Sequence, residues 1–122
     1  MIKLGTDISP ISKIEKLSKN PKFISRFFTA DEMRLFISKR FSPIIIAGNF
    51  SVKRSFVKMT GMGLRSFSLK EISVLRDGMG TPYFSFSGNA KAIVEKEKLV
   101  FTISISRSKD SIFSTIVGYT KD

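Results

Sequence analysis

Apolar residues recur at helical spacing through the first half of the chain and alternate loosely through the second, with the change after the paired glycines Gly61 and Gly63. Residues 1–7 read as a strand ending at Gly5-Thr6-Asp7. Ser9-Pro10 opens a helix carrying Ile11, Ile14 and Leu17, and Asn20-Pro21 ends it. Thr29-Ala30-Asp31-Glu32 is a capping-box pattern, with Thr29 as N-cap and Glu32 at the third helical position, and predicts a helix to about Arg40. Ser42-Pro43 then opens a long helix. Ser66 to Leu75 alternates, and Asp77-Gly78-Met79-Gly80 is a turn into a Pro82–Phe86 strand. A short helix starts at Ser87-Gly88-Asn89-Ala90 and ends in Glu95-Lys96-Glu97-Lys98. Leu99–Ser106 and Ser111–Tyr119 are two last strands joined by the turn at 107–110. The predicted order is β-α-α-α-β-β-α-β-β: one α+β domain over residues 1–122, with helices packed on a mostly antiparallel sheet.

The long helix carries the most informative segment, from Asn49 to Gly63. Arg54, Lys58 and Gly61 are spaced i, i+4, i+7 and rise along one edge. Lys53 falls instead among Ile46, Phe50 and Val57, on the face expected to be buried. A cation there needs an anionic partner, because burying an unpaired charge is very costly. The segment is therefore a candidate anion site.

Composition narrows the chemistry. The chain of 122 residues is long enough to bury a core without metals or disulfides. It has no Cys and no His, so thiolate nucleophiles, a Ser-His-Asp triad and Cys or His metal sites are excluded. Proton transfer is left to carboxylates, lysine, tyrosine or water. The 21 Lys and Arg against 10 acidic residues give a formal charge of +11, which favours a polyanionic partner. The opening residues read as a strand rather than a signal peptide, and the longest apolar run, Ile44–Ala47, is far too short to cross a membrane, so the cytoplasm is the expected compartment.

Three loci can carry chemistry: Asp7 at the end of the first strand, the Lys53/Arg54/Lys58 segment, and Ser104-Ile105-Ser106-Arg107-Ser108 at the end of a late strand. Singly, each has a plain structural reading: a turn or cap, a solvated helix face and a hairpin. In this order, they resemble the holo-[acyl carrier protein] synthases of the 4′-phosphopantetheinyl transferase superfamily. Gly5-Thr6-Asp7-Ile8 with Ile11 to Ile14 resembles the opening Gly-x-Asp-Ile motif, and Arg26-Phe27-Phe28-Thr29-Ala30-Asp31-Glu32 resembles a second. Phe50-Ser51-Val52-Lys53-Arg54-Ser55-Phe56-Val57-Lys58, followed by Gly61-Met62-Gly63, resembles the signature helix. Gly80-Thr81-Pro82 and Ser104 to Ser108 match the later motifs.

The resemblance implies an α+β enzyme, often a trimer with active sites between subunits, that moves 4′-phosphopantetheine from coenzyme A to a serine of an acidic acyl carrier protein. It also implies Mg²⁺ held by the motif Asp, here Asp7, and by a signature-helix Glu. Asp7, Lys58 and Arg54 are then the expected catalytic residues. Lys53, Lys58, Gly61, Pro82, Ser106 and Arg107 would contact coenzyme A, and Lys13, Lys22, Phe23 and Arg26 on the early helices would dock the carrier. Two substitutions stand on functional positions: Arg54 replaces the Glu and Arg107 the motif His. Arg54 is expected to pair with Asp7 in the metal's position. From this follow two outcomes, a transferase with altered metal dependence or a member that only binds coenzyme A or carrier. With no His, a water or a carboxylate such as Glu32 would deprotonate the carrier serine, although the capping role of Glu32 is the better account of it. A basic nucleic-acid-binding protein is the reading from a different class; it needs exposed aromatics, whereas the 12 Phe fall mostly at periodic core positions.

Overall fold

The computed structural model describes residues 2–60 and 67–121. The Gly61–Gly63 break and Ser66 lie outside them. Strand β1 (Ile2–Pro10) leads into α1 (Ile11–Leu17), α2 (Pro21–Phe27), α3 (Ala30–Ser38) and α4 (Pro43–Thr60). A 3₁₀ turn at Leu69–Glu71 precedes β2 (Ile72–Arg76) and β3 (Pro82–Phe86); α5 (Gly88–Lys96), β4 (Leu99–Arg107) and β5 (Ser111–Thr120) complete the order. The strands form an antiparallel three-stranded sheet β1-β5-β4 and an antiparallel hairpin β2-β3.

The α+β class and the strand order follow the sequence. Two details differ. Asn20-Pro21 ends α1 but also starts a further helix, α2: the Asn20 side chain accepts the Lys22 N–H at 2.9 Å and Pro21 sits in the first turn. The same pair that stops one helix is a good N-cap and first residue for the next. β1 also runs beyond Asp7 to Pro10, because it pairs with β5 from Ile2 opposite Tyr119 to Pro10 opposite Ser111. The capping box on α3 forms as read: Thr29 Oγ1 accepts the Glu32 N–H, and Glu32 Oε1 accepts the Thr29 N–H, each at 3.1 Å.

Helix α4 crosses the inner face of the three-stranded sheet and divides the core. One cluster joins Val52, Phe56, Met59 and Ile116 to β2; the other joins Phe50, Ile46 and Ile112 to Ile14, Phe28 and Phe36 of the early helices. Between Ile46 and Thr60 only Arg54 and Lys58 are exposed, so α4 is buried nearly all round rather than along one stripe. Most Phe rings lie in these clusters, as their spacing predicts; Phe41 and Phe113 are the most exposed.

The alternation on β1 is inverted. Gly5, Asp7 and Ser9 point to the helix, while Ile2, Leu4 and Ile8 point away and are 60–78% exposed. A strand normally turns its apolar side to the core. β1 instead sends Gly5, Asp7 and Ser9 inward toward α4 and leaves its apolar residues outside, on a face that Phe113 and Tyr119 of β5 extend.

Candidate active site

The inward polar residues of β1 meet the two exposed cations of α4. The approach is close: a Cβ on Gly5 would lie 2.2 Å from the Ser55 carbonyl oxygen, so strand and helix touch backbone to backbone there. Two residues on, the buried Asp7 carboxylate reaches the helix edge. Its Oδ1 accepts from Arg54 Nε at 3.1 Å and from Lys58 Nζ at 2.9 Å. Its Oδ2 accepts from Ser9 Oγ at 2.7 Å and Ser51 Oγ at 2.9 Å. Behind it, Ser51, Ser114 and Ser55 join their hydroxyls in a buried chain, with Ser114 Oγ 2.8 Å from Ser51 Oγ and 2.6 Å from Ser55 Oγ. Burial alone would push the Asp7 carboxyl up. The hydrogen bonds from Ser9, Lys58 and Ser51, with the Lys58 charge, outweigh it and hold Asp7 below the ordinary carboxylate value.

The expected Arg54–Asp7 pair is thus present, and Lys58, one turn on, shares the same oxygen. The Arg54 guanidinium lies over the Phe50 ring, 5.6 Å from its centroid, which restrains its plane. Both cations remain half exposed, on the rim of a groove lined by Phe27, Val57 and Leu69. The position of Gly61 lies outside the described residues.

Lys53 has a different role from the one expected. Its ammonium ion-pairs with Glu32 and donates to the carbonyl oxygens of Phe27 at 2.8 Å and Leu69 at 3.0 Å, so all its donors are engaged within the protein. The anion that its buried charge requires is Glu32, not a ligand phosphate. Glu32 Oε2 also accepts from Asn49 Nδ2 at 2.9 Å, and that amide donates to the Val74 carbonyl at 2.8 Å. Burial pushes the Glu32 carboxyl up and the Lys53 ammonium down, against their mutual attraction. The pair, with Asn49, ties α3 and α4 to the end of α2, the 3₁₀ turn and the middle of β2. Glu32 is wholly buried in it and is out of reach as a general base.

The remaining candidates lie apart from Asp7 within the chain. Pro82 opens β3 and lines a separate hollow with Tyr83, Phe101 and Thr102. Ser106 pairs with Phe113, which in turn pairs with Ile8; all three belong to the outward row of the sheet, opposite Asp7. Arg107 ends β4, exposed. Lys13, Lys22 and Arg26 are exposed on α1 and α2, whereas Phe23 is half-buried and stacks on Phe27 at 5.5 Å. Ser9, Ser51 and Ser114 were not singled out by sequence reasoning. Their signal is spacing: Ser9 shares the Asp7 face of β1, and Ser51 and Ser55 are one turn apart on α4.

The donor set does not fit the expected Mg²⁺. That ion takes near-octahedral oxygen coordination. Here both oxygens of Asp7 are already shared among four protein donors, and a guanidinium holds the place of the second carboxylate. Among the described residues no three or more Asp, Glu, His or Cys side chains gather. A divalent ion at Asp7 would have to displace two cations and then sit beside them.

Comparison with known proteins agrees with the order of motifs. The 4′-phosphopantetheinyl transferase superfamily pattern matches residues 3–106. A holo-[acyl-carrier-protein] synthase of Clostridium botulinum (strain Eklund 17B / Type B) is 40% identical over 116 residues, covering 93% of this chain and 94% of that protein. The crystal structure of holo-[acyl-carrier-protein] synthase from Neisseria meningitidis superposes with a TM-score of 0.85 at 27% identity, over 98% of this chain and 100% of that one. The Bacillus anthracis holo-(acyl-carrier-protein) synthase in complex with CoA (3′,5′-ADP) superposes with a TM-score of 0.79 at 25% identity, over 99% and 100% of the two chains. Shared motifs, shared architecture and near-complete coverage agree, and the chain belongs to the 4′-phosphopantetheinyl transferase superfamily.

Proposed function

We propose that the chain is a holo-[acyl carrier protein] synthase, transferring 4′-phosphopantetheine from coenzyme A to a serine of an acidic acyl carrier protein. The observation that carries this reading is the Asp7–Arg54–Lys58 cluster on the rim of a largely apolar groove. Its two half-exposed cations suit a pyrophosphate, and the groove beside them suits an uncharged arm. In the transfer, the carrier serine oxygen bonds to the pantetheine-side phosphorus. The bond from that phosphorus to the bridging oxygen breaks, adenosine 3′,5′-bisphosphate leaves with the electron pair, and the serine proton passes to water. Such chemistry depends mainly on positioning and on neutralising developing charge. Asp7 fixes the two cations, and Arg54 and Lys58 meet the phosphate oxygens.

The site is composite in this reading, formed between copies of a homotrimer. Ser106 and Pro82 do not reach Asp7 in one protomer, and the outer sheet face carries Ile2, Leu4, Ile8, Phe113 and Tyr119 exposed. An apolar face of this kind is what a subunit contact covers. Because β1 is an edge strand, a neighbour laid on that face and past this edge would bring its own Pro82, Ser106 and Arg107 toward the cluster, with Arg107 for a coenzyme A phosphate. Lys13, Lys22 and Arg26 form the exposed basic surface for the carrier, with Phe23 at its base. The cytoplasm, where coenzyme A and carrier meet, is the proposed compartment; no described helix is long and apolar enough to cross a membrane.

The test is incubation with coenzyme A and apo carrier protein, read by intact mass. The expected result is a gain of one phosphopantetheine group on the carrier. Coenzyme A binding without any gain on cognate carriers would instead make the chain a binding-only member, and a response to single-stranded nucleic acid alone would remove it from this chemistry.

A further inference from the structure

We propose that this site recognises the coenzyme A pyrophosphate without a divalent cation, the Arg54 guanidinium standing in for the metal ion; this rests on the transferase reading above. Charge is the first argument. Replacing a carboxylate with a guanidinium raises the charge of the site by two units, which is the charge of the ion that the family's carboxylate pair would hold. Asp7, Arg54 and Lys58 alone therefore leave the one net positive charge that an Asp, Glu, Lys and Mg²⁺ set would leave.

Geometry is the second. Arg54 spends only Nε on Asp7, and its two terminal nitrogens make no hydrogen bond among the described residues. These are the donors that can grip two phosphate oxygens side by side. Among the described residues Lys58 likewise spends one of its three donors, on Asp7. Both side chains are half exposed and line the groove, so the donors left unpaired among the described residues can meet a ligand.

Preorganisation is the third. Asp7 is anchored from behind by Ser9 and Ser51, and the Arg54 plane rests on Phe50. The cations are held in place before the ligand arrives, so little ordering remains to be done on binding.

Isothermal titration calorimetry of the full chain with coenzyme A, in EDTA and in excess Mg²⁺, tests this. The expected result is the same affinity in both. Arg54→Glu should lose binding in EDTA and recover it with Mg²⁺, and Mn²⁺ titration read by electron paramagnetic resonance should show ion binding to that variant and not to the parent. Should the parent lose coenzyme A in EDTA and regain it with Mg²⁺, the metal-free site is refuted and the transferase reading stands. Should the parent bind no coenzyme A in either buffer, the transferase reading itself fails. The parent comparison holds even where Arg54→Glu does not fold.

Discussion

Lys53 and Glu32 face one another with no solvent exposure on either side chain, a full ion pair inside a chain that otherwise carries a large positive excess. Removing one partner strands the other charge, so Lys53→Ala should cost about 3–5 kcal/mol of unfolding free energy. Replacing both, as Glu32→Leu with Lys53→Met, should cost clearly less than the sum of the two single changes. Urea denaturation of the four proteins measures this directly. Because Lys53 serves the fold and not the ligand, the folded double variant should bind coenzyme A as the parent does; a large loss of affinity would restore Lys53 to the binding site.

Gly5→Ala should be the most damaging single-methyl change in β1. The added carbon meets the Ser55 carbonyl, a backbone atom that cannot rotate away. Overpacking of this kind costs typically about 1–3 kcal/mol, and here it also pushes Asp7 from the cation pair. Thermal unfolding and coenzyme A titration should therefore fall together.

Acid should reveal the Asp7 cluster. The folded carboxyl titrates below its ordinary value of 3.8, so the folded state prefers the ionised form. Its stabilisation is complete above pH 3.8 and is lost as pH falls through that value toward the folded one. Asp7→Asn should flatten the stability–pH profile in that acid range. Ser51→Ala, which removes one of the two hydroxyl donors to Oδ2, should move the Asp7 titration upward, as measured by carboxyl carbon NMR.

Charge reversal at Lys13, Lys22 and Arg26 together should raise the carrier KM about tenfold and flatten its salt dependence, since exposed interface charges act mainly through association. Coenzyme A binding measured without carrier should not change. An equal loss toward both substrates would move the docking surface elsewhere.

Leu4→Asp with Ile8→Asp should leave the protomer folded, because both side chains point away from the core. Light scattering after gel filtration should then show dissociation to monomers, with transfer activity lost and circular dichroism retained. Persistence of a trimer would place the subunit contact on another face.

What the sequence made legible was whatever depends on local spacing. Arg54 and Lys58 share a helix edge by periodicity alone, Thr29 and Glu32 cap a helix by their separation, and the motif order identifies the fold. What it hid depends on which elements meet. That Lys53 needs an anion follows from its position on the helix; that the anion is Glu32 follows only once α3 lies against α4. Ser114 is one of many serines until β5 sets it opposite Asp7, between Ser51 and Ser55. Asn20-Pro21 misled for a local reason, since one pair of residues serves both to stop a helix and to start one.

The backbone contact between Gly5 and Ser55 has a consequence for how this protein can vary. The gap between strand and helix is set by two main chains, like a mechanical stop, and not by the size of the side chains packed around them. Substitutions elsewhere in the aromatic clusters can loosen or tighten the protomer while the opening between Asp7 and the Arg54–Lys58 edge keeps its width. Thermal stability and ligand affinity should then drift independently across core variants that keep Phe27 and Phe50, and a stabilised form could be engineered from the cluster around Phe56, Phe84 and Phe101 without retuning the anion site.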